Sequence, residues 1–271
     1  MRGFDAIIVG SDQVWRKAYC PDIRAFFLGF LKPTSKVRRI AYAASFGVDH
    51  LEYNQKTIRM CSKLVERFDA ISVREYSGVA LFRKYFGMSP AHLVDPTLLL
   101  GRNDYLRLLN LQGAKPKGSL TTYVLDESSR VSEVVAFAEK ELGLMVNRLG
   151  PKKHFSKKNR SQIDQCVYPP VEDWIRGFYD ADFVITDSFH GTVFSIIFQK
   201  PFVAIGNSER GLSRFKSLLS KLGLASQLYI PSNDFDQNLL SKKIDYSKVN
   251  FLLDKWRSES IDFIKSSLAS K

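Results

Sequence analysis

The stretch F-V-I-T-D-S-F-H-G-T-V-F-S-I-I-F, residues 183–198, decides how the fold is read. Phe183 to Thr186 is a short apolar run of strand length. Asp187-Ser188-Phe189-His190-Gly191 interrupts it with turn-forming residues. Thr192 to Phe198 then reads as a helix that is apolar nearly all round, which marks a core helix. A buried strand that runs into a buried helix is the repeating unit of a parallel sheet, because parallel neighbours need a crossover connection.

The same alternation extends outward in both directions. Downstream, Pro201 to Ile205 reads as a strand and Leu212 to Leu222 as a helix, with Gly223 after it. Upstream, strands at 120–125 and 145–149 alternate with helices at 129–142 and 171–179. Ser129 is the expected cap of the first of these helices, and Gly143 its stop. Further upstream come strands at 5–9, 39–44, 70–73 and 92–94. Helices at 55–68 and 77–86 lie among them, the second closed by Gly87. The terminal segment 252–268 is helical, with Trp256, Ile261 and Ile264 on its apolar side. The stretch Q-G-A-K-P-K-G (112–118) has the composition of a linker. The expected architecture is α/β, with two Rossmann-like, doubly wound parallel-sheet domains. One covers 1–117; the other covers 118–271 and carries the C-terminal helix.

Composition narrows the class. The 271 residues are 45% hydrophobic and 25% charged, which supports a packed core and excludes intrinsic disorder. No run reaches the roughly 20 apolar residues that a membrane-spanning helix needs. Met1-Arg2-Gly3-Phe4-Asp5 leads straight into a strand, so no secretory leader is expected. Cys20, Cys61 and Cys166 are odd in number and far apart, which points to a reducing, cytoplasmic setting without disulfides or structural zinc. His50, His92 and His154 lack ligand spacing, and Asp180/Asp182 and Asp234/Asp236 are D-x-D pairs of a common kind, so no metal site is expected.

The net charge of +12 concerns partners, not fold. Residues 1–117 carry 19 basic and 10 acidic side chains, against 21 and 18 in the remainder. Two clusters contribute: Lys32, Lys36, Arg38 and Arg39, then Lys152, Lys153, Lys157, Lys158 and Arg160. A solvated loop is the plain reading of each, and the one adopted for the second. No helix-turn-helix, finger or RNA-recognition signature accompanies them, so nucleic acid is not an expected partner.

In a parallel α/β sheet, function gathers at the carboxyl ends of the strands. At 186–192 the core helix points its N-terminus outward, where N–H groups and the helix dipole attract anions. His190 adds an imidazole, a ring that can give or take a proton. Gly191 permits close approach of a ligand to the backbone, with Ser188 and Thr192 beside it; the competing reading is that Asp187 or Ser188 merely caps the helix while His190 makes a structural hydrogen bond. Arg74, directly after the strand at 70–73, offers a planar fork to a carboxylate or phosphate; the competing reading is a surface pair with Glu75. Arg210 and Arg214 follow the strand that ends at Ile205. Ser11 and Asp12 follow the first strand and Asp95 the fourth; the two carboxylates are candidate general bases, or else turn and cap residues. No G-x-G-x-x-G, Walker A or G-x-S-x-G element is present.

Together G-S-D-Q-V-W (10–15), A-Y-A-A-S-F-G (41–47), S-V-R-E (72–75), D-P-T-L-L-L (95–100), T-D-S-F-H-G-T-V-F-S (186–195) and R-G-L-S-R-F (210–215) resemble the polysaccharide pyruvyl transferase family. The resemblance runs from residue 5 to about 225. It implies a fold similar to that of the two-domain GT-B glycosyltransferases. It also implies transfer of the enolpyruvyl unit of phosphoenolpyruvate onto two sugar hydroxyls, which yields a pyruvate ketal and phosphate. The family's chemical histidine falls on His190, its donor-holding arginine on Arg74, and the Phe189 backbone on the donor pocket. Arg210 and Arg214 extend that assignment. Members usually have one more βα unit before the G-S-D segment, so the first domain is expected to lack its opening unit.

The partners implied are phosphoenolpyruvate and a glycan acceptor, free or linked to a lipid diphosphate, with no metal or organic cofactor. Peripheral contact with an anionic membrane face would use the basic excess of residues 1–117. A GT-B glycosyltransferase using a nucleotide sugar and a non-catalytic assembly subunit are the alternative readings.

Overall fold

The computed structural model describes residues 3–110, 118–153, 155, 157–207 and 211–269, with the side chains of 157–159 left aside. In chain order its elements are β1 (Ala6–Val9), β2 (Arg38–Ala44), α1 (Gln55–Val65), β3 (Ala70–Val73), α2 (Tyr76–Phe86), β4 (Ala91–His92), α3 (Arg102–Leu108), β5 (Leu120–Tyr123), α4 (Ser129–Leu142), β6 (Val146–Arg148), α5 (Val171–Asp180), β7 (Phe183–Thr186), α6 (Phe189–Ile197), β8 (Phe202–Ile205), α7 (Leu212–Lys221), β9 (Leu228–Tyr229) and α8 (Tyr246–Leu268). Two parallel sheets result, as the βα alternation predicts.

The chain forms two compact units that do not follow a single cut at residue 117. The first comprises 1–99, 208–223 and 247–271; the second comprises 100–207 and 224–246. Residues 111–117 lie outside the described set, and with them all of the expected linker but Gly118. The C-terminal helix α8 belongs to the first unit. Trp256 of α8 is buried, its Nε1 donates to the His92 carbonyl at 2.9 Å, and its ring meets the His92 ring at 4.9 Å. Farther along α8, Phe263 and Ile264 pack on Tyr42 and Leu93. An apolar stripe takes the surface that fits it, whatever its place in the chain.

In the first unit the strand order is β1-β2-β3-β4. The β2–β3 register shifts between Ala41 and Ala44, where Ala43 has φ +47. Ser72 repairs the break: its hydroxyl accepts the Ala43 N–H at 2.8 Å and donates to the Ala41 carbonyl at 3.1 Å. Such a bulge bends the strand and re-aims the loop that follows, here Ser45-Phe46-Gly47. The core gathers around Trp15, which stacks on Phe27 at 5.2 Å and meets Phe46 and Phe82 at 5.4 and 5.2 Å. Helix α1 adds Cys61 and Val65 to this cluster. Gly87 closes α2 in the left-handed region, as expected, with φ +67.

In the second unit the order is β6-β5-β7-β8-β9. The chain winds outward one way from β5 to β6 and the other way from β7 to β9. The reversal therefore lies between the ends of β5 and β7, the position where open α/β sheets leave a crevice. Both β7 and α6 are buried; His190 alone on α6 is half-buried. Trp174, Phe178 and Phe194 pack edge to face or tilted beside them at 4.7–6.0 Å. Helix α4 is capped by Ser128, one residue before the expected Ser129, through a bond from Val131 N–H at 3.3 Å. Helix α6 begins at Phe189, three residues before the expected Thr192. The short α3 and β9 carry too little periodicity to be read from sequence.

Candidate functional site

In the first unit the strand ends converge on Arg74. β3 is buried, so the residue after it emerges at the carboxyl edge of the sheet with its side chain still only 1% exposed. Its Nη1 donates to Asp95 Oδ2 at 2.7 Å and its Nη2 to Asp12 Oδ1 at 3.3 Å. Asp95 follows β4 and is almost fully buried. Its Oδ2 also accepts the Ser11 hydroxyl at 2.9 Å; its Oδ1 accepts the Thr97 N–H at 3.1 Å and hydroxyl at 2.7 Å. Asp12 is different. It follows β1 with φ +79, and its side chain is 66% exposed.

Glu75 turns away from its neighbour. It is fully buried, and its Oε1 accepts the Ser45 hydroxyl at 2.9 Å and the Phe46 N–H at 3.0 Å, while Oε2 is buried without a hydrogen-bond partner. The surface Arg74–Glu75 pair is therefore not what forms. Burial outweighs the pull of Arg74 and pushes the Glu75 carboxyl above its ordinary range. Arg214, in the first turn of α7, is buried in the same place. Burial, then the like charge of Arg74, lower it to about 10, with Glu75 and Asp12 opposing. The loops approach tightly: at Gly211, with φ +90, an added Cβ would overlap the Gly47 carbonyl and crowd the Arg214 guanidinium.

The sequence expectations divide accordingly. Ser11, Asp12, Arg74, Asp95 and Arg214 come together, and Glu75 and Thr97, which are not among the expected site residues, join them. Asp95 does not have the setting of a general base. Both its oxygens accept hydrogen bonds in a buried position, which suits it to fixing Arg74. Arg210 lies outside the described residues. Arg39, at the start of the expected strand, is buried in β2, and its Nη2 donates to the Lys32 carbonyl at 2.9 Å.

In the second unit the candidate residues surround the start of α6. Ser188 caps the helix, its hydroxyl accepting the Gly191 N–H at 3.3 Å. Thr186 Oγ1 donates to the Tyr123 carbonyl at 2.6 Å and accepts the Ser188 N–H at 3.0 Å, which ties β7 to β5. Asp187 does not cap. Its two oxygens accept the N–H groups of Leu125 and Asp126 at 2.7 and 2.8 Å, across the reversal of strand order. Asn207, after β8, donates to Asp126 at 2.9 Å. Neither Asp126 nor Asn207 shows any sequence signal, since 81 positions separate them.

Gly191 was expected to admit a ligand close to the backbone; an added Cβ there would strike the Thr186 side chain, so the glycine makes room within the protein. Thr192 is fully buried and its hydroxyl bonds back to the Ser188 carbonyl at 3.1 Å. Ser188, Gly191 and Thr192 thus shape the helix start. His190 is half-buried at the second helical position, with its ring edge-on to Phe189 at 5.6 Å.

Among the described residues no group of three or more His, Cys, Asp or Glu side chains could hold a metal ion. Of the D-x-D pairs, Asp180 lies 4.0 Å from Arg176, and Asp236 caps a short 3-10 turn through the Asn238 N–H at 3.0 Å. No described helix is long and apolar enough to cross a membrane.

A family model described as polysaccharide pyruvyl transferase matches residues 3–209. The chain belongs to the polysaccharide pyruvyl transferase family. The matched span runs from β1 through β8 and includes Arg74, Asp95 and His190; Arg214 enters the Arg74 cluster from beyond it. No curated protein matches the chain significantly. Among solved structures, the wall teichoic acid polymerase TagF is similar at a TM-score of 0.41 and 14% identity, over 89% of this chain and 70% of that one.

Proposed function

We propose that this member of the family moves the enolpyruvyl group of phosphoenolpyruvate onto two hydroxyls of a polysaccharide acceptor. The observation that supports it most is the buried Arg74 guanidinium, held by Asp95 within the span that matches the family. Phosphoenolpyruvate carries about three negative charges, and its site must supply preorganised cations. Arg74 and the nearby Arg214 supply two. Asp12, exposed and at the longer distance, is the partner that a donor carboxylate or phosphate displaces; Asp95 stays in place.

The reaction takes two additions. A proton goes to the methylene carbon of the donor while the first sugar hydroxyl bonds to the central carbon and gives up its proton. Phosphate then leaves with the C–O bonding electrons, the second hydroxyl takes its place, and its proton is released. His190 carries the proton to carbon, and Asp12 is the carboxylate available to accept one from a hydroxyl. The scheme uses no metal or organic cofactor, so chelation leaves the rate unchanged. Its setting is cytoplasmic.

The test is phosphate release from phosphoenolpyruvate with and without lipid-linked or free glycans, together with mass spectrometry of the glycan. Release that depends on the acceptor and a pyruvyl mass increment support the reading. Binding of UDP- or CMP-sugars in place of phosphoenolpyruvate would overturn it in favour of glycosyl transfer.

A further inference from the structure

In the first unit, away from the strand ends, α1 and the segment before Gly29 enclose a groove of about 500 Å³. Lys56, Arg59, Lys63 and Arg67 line it, spaced by three, four and four residues, so one face of the helix and its continuation carries all four. Lys56, Arg59 and Lys63 are exposed and Arg67 is half-buried. Among the described residues none of the four forms an ion pair. Helix α1 contains no acidic residue; Glu66 follows it, exposed, and Asp69 is bonded to the Arg39 N–H. Arg24, on the opposite wall, is held by Asp22 at 2.7 Å.

The floor is apolar, made by Met60 and Leu64. Gly29 lets the two walls close: an added Cβ would stand 3.3 Å from Leu64 and 3.1 Å from the Arg24 carbonyl. On either side of this glycine, Phe26 and Phe30 leave 38% and 52% of their surface exposed. A row of unneutralised cations, with exposed aromatic rings three residues before and one residue after the glycine that lines their groove, is the composition of a surface that lies on a membrane. The cations meet anionic headgroups and the rings enter the boundary below them.

We propose that the α1 groove and the Phe26–Phe30 segment are a docking surface for an anionic phospholipid bilayer. A soluble acidic polymer would use the cations but leave the rings and the apolar floor without a partner; a bilayer uses both. The proposal does not depend on the pyruvyl-transfer reading, since vesicle binding requires neither donor nor acceptor.

The test is co-sedimentation of the full chain with vesicles of phosphatidylcholine alone and of phosphatidylcholine mixed with phosphatidylglycerol. The chain should partition onto the mixed vesicles and release as salt rises. Each neutralised cation should lower the partition coefficient about fivefold, so Lys56→Gln with Lys63→Gln should lower it roughly 25-fold. Phe30→Ser should weaken binding without changing its salt dependence. Lys152→Gln with Lys153→Gln, in the second unit, should change nothing. Equal binding to both vesicles, or an unaffected Lys56/Lys63 double variant, would overturn the proposal. So would capture by a soluble acidic polysaccharide with no binding to mixed vesicles. Acceptor-dependent phosphate release should persist in the double variant, so a failure here leaves the catalytic reading standing.

Discussion

At the end of β3, charges from positions 12, 74, 95 and 214 are held together, with Glu75 buried beside them. At the end of β7, Ser188, Gly191 and Thr192 bond within residues 186–192, while Thr186 and Asp187 reach the end of β5 and the turn after it. Both are loops after buried parallel strands. One is built from paired ions that are costly to separate. The other has no ion pair among its described bonds: it is held by hydroxyl and backbone bonds and by the Asp187 carboxylate on two N–H groups. The first should therefore respond to substitution as a structural unit, and the second should lose chemistry without losing its fold.

Arg74→Ala tests the first half most severely. Leaving Asp95 buried without its cation should cost about 3–5 kcal/mol of stability, measured by denaturant unfolding. A loss below about 1 kcal/mol would mean that Arg74 is only a loosely held hook. His190→Ala tests the second half. It should leave the unfolding midpoint nearly unchanged and reduce acceptor-dependent phosphate release about 100-fold or more. Near-normal turnover would remove His190 from the chemistry. Ser188→Ala should cost about 1 kcal/mol through the lost cap, well under the Arg74 effect. A larger loss would show that the second turn is as tightly coupled as the first.

The smallest effect separates the two sites by pH. Glu75 has its carboxyl raised in the folded chain, so folding binds its proton more tightly than the unfolded chain does. Stability from this group is present below the ordinary carboxylate range and is lost as pH rises through the raised value. Glu75→Gln should accordingly gain on the parent as pH rises from about 5 to about 8. Unfolding curves at the two ends of that range measure the difference. An unchanged difference would mean that Arg74 and Arg214 fully compensate the burial.

The alternation of strands and helices was legible because each apolar run has the length and period of its element, and Gly87 and Gly143 end their helices in the left-handed region. The turn at 186–192 was legible for the same reason: its contacts are local. Its details were not. Asp187 looks like a cap in sequence, yet Ser188 caps, because Asp187 faces two N–H groups from the turn after β5, more than 60 positions earlier. The basic row of α1 was readable from its spacing of three and four once the helix at 55–68 was drawn. The cluster at 32–39 is more compact in sequence, yet Arg39 there is buried in β2.

By itself the sequence determined that the chain is α/β, which strands are buried, where polar turns follow them, and that His190 and Arg74 stand at such turns. These properties follow from period, run length and single-residue conformational preference, all of which act over a few positions. Only the tertiary structure decided that α7 and α8 return to the first unit, that Asp95 holds Arg74 and does not stand open as a base, and that Gly191 makes room for Thr186. Those outcomes depend on which apolar stripe finds which surface and which charges are buried together. Nothing local in the chain carries that information; packing and desolvation select it when distant segments meet.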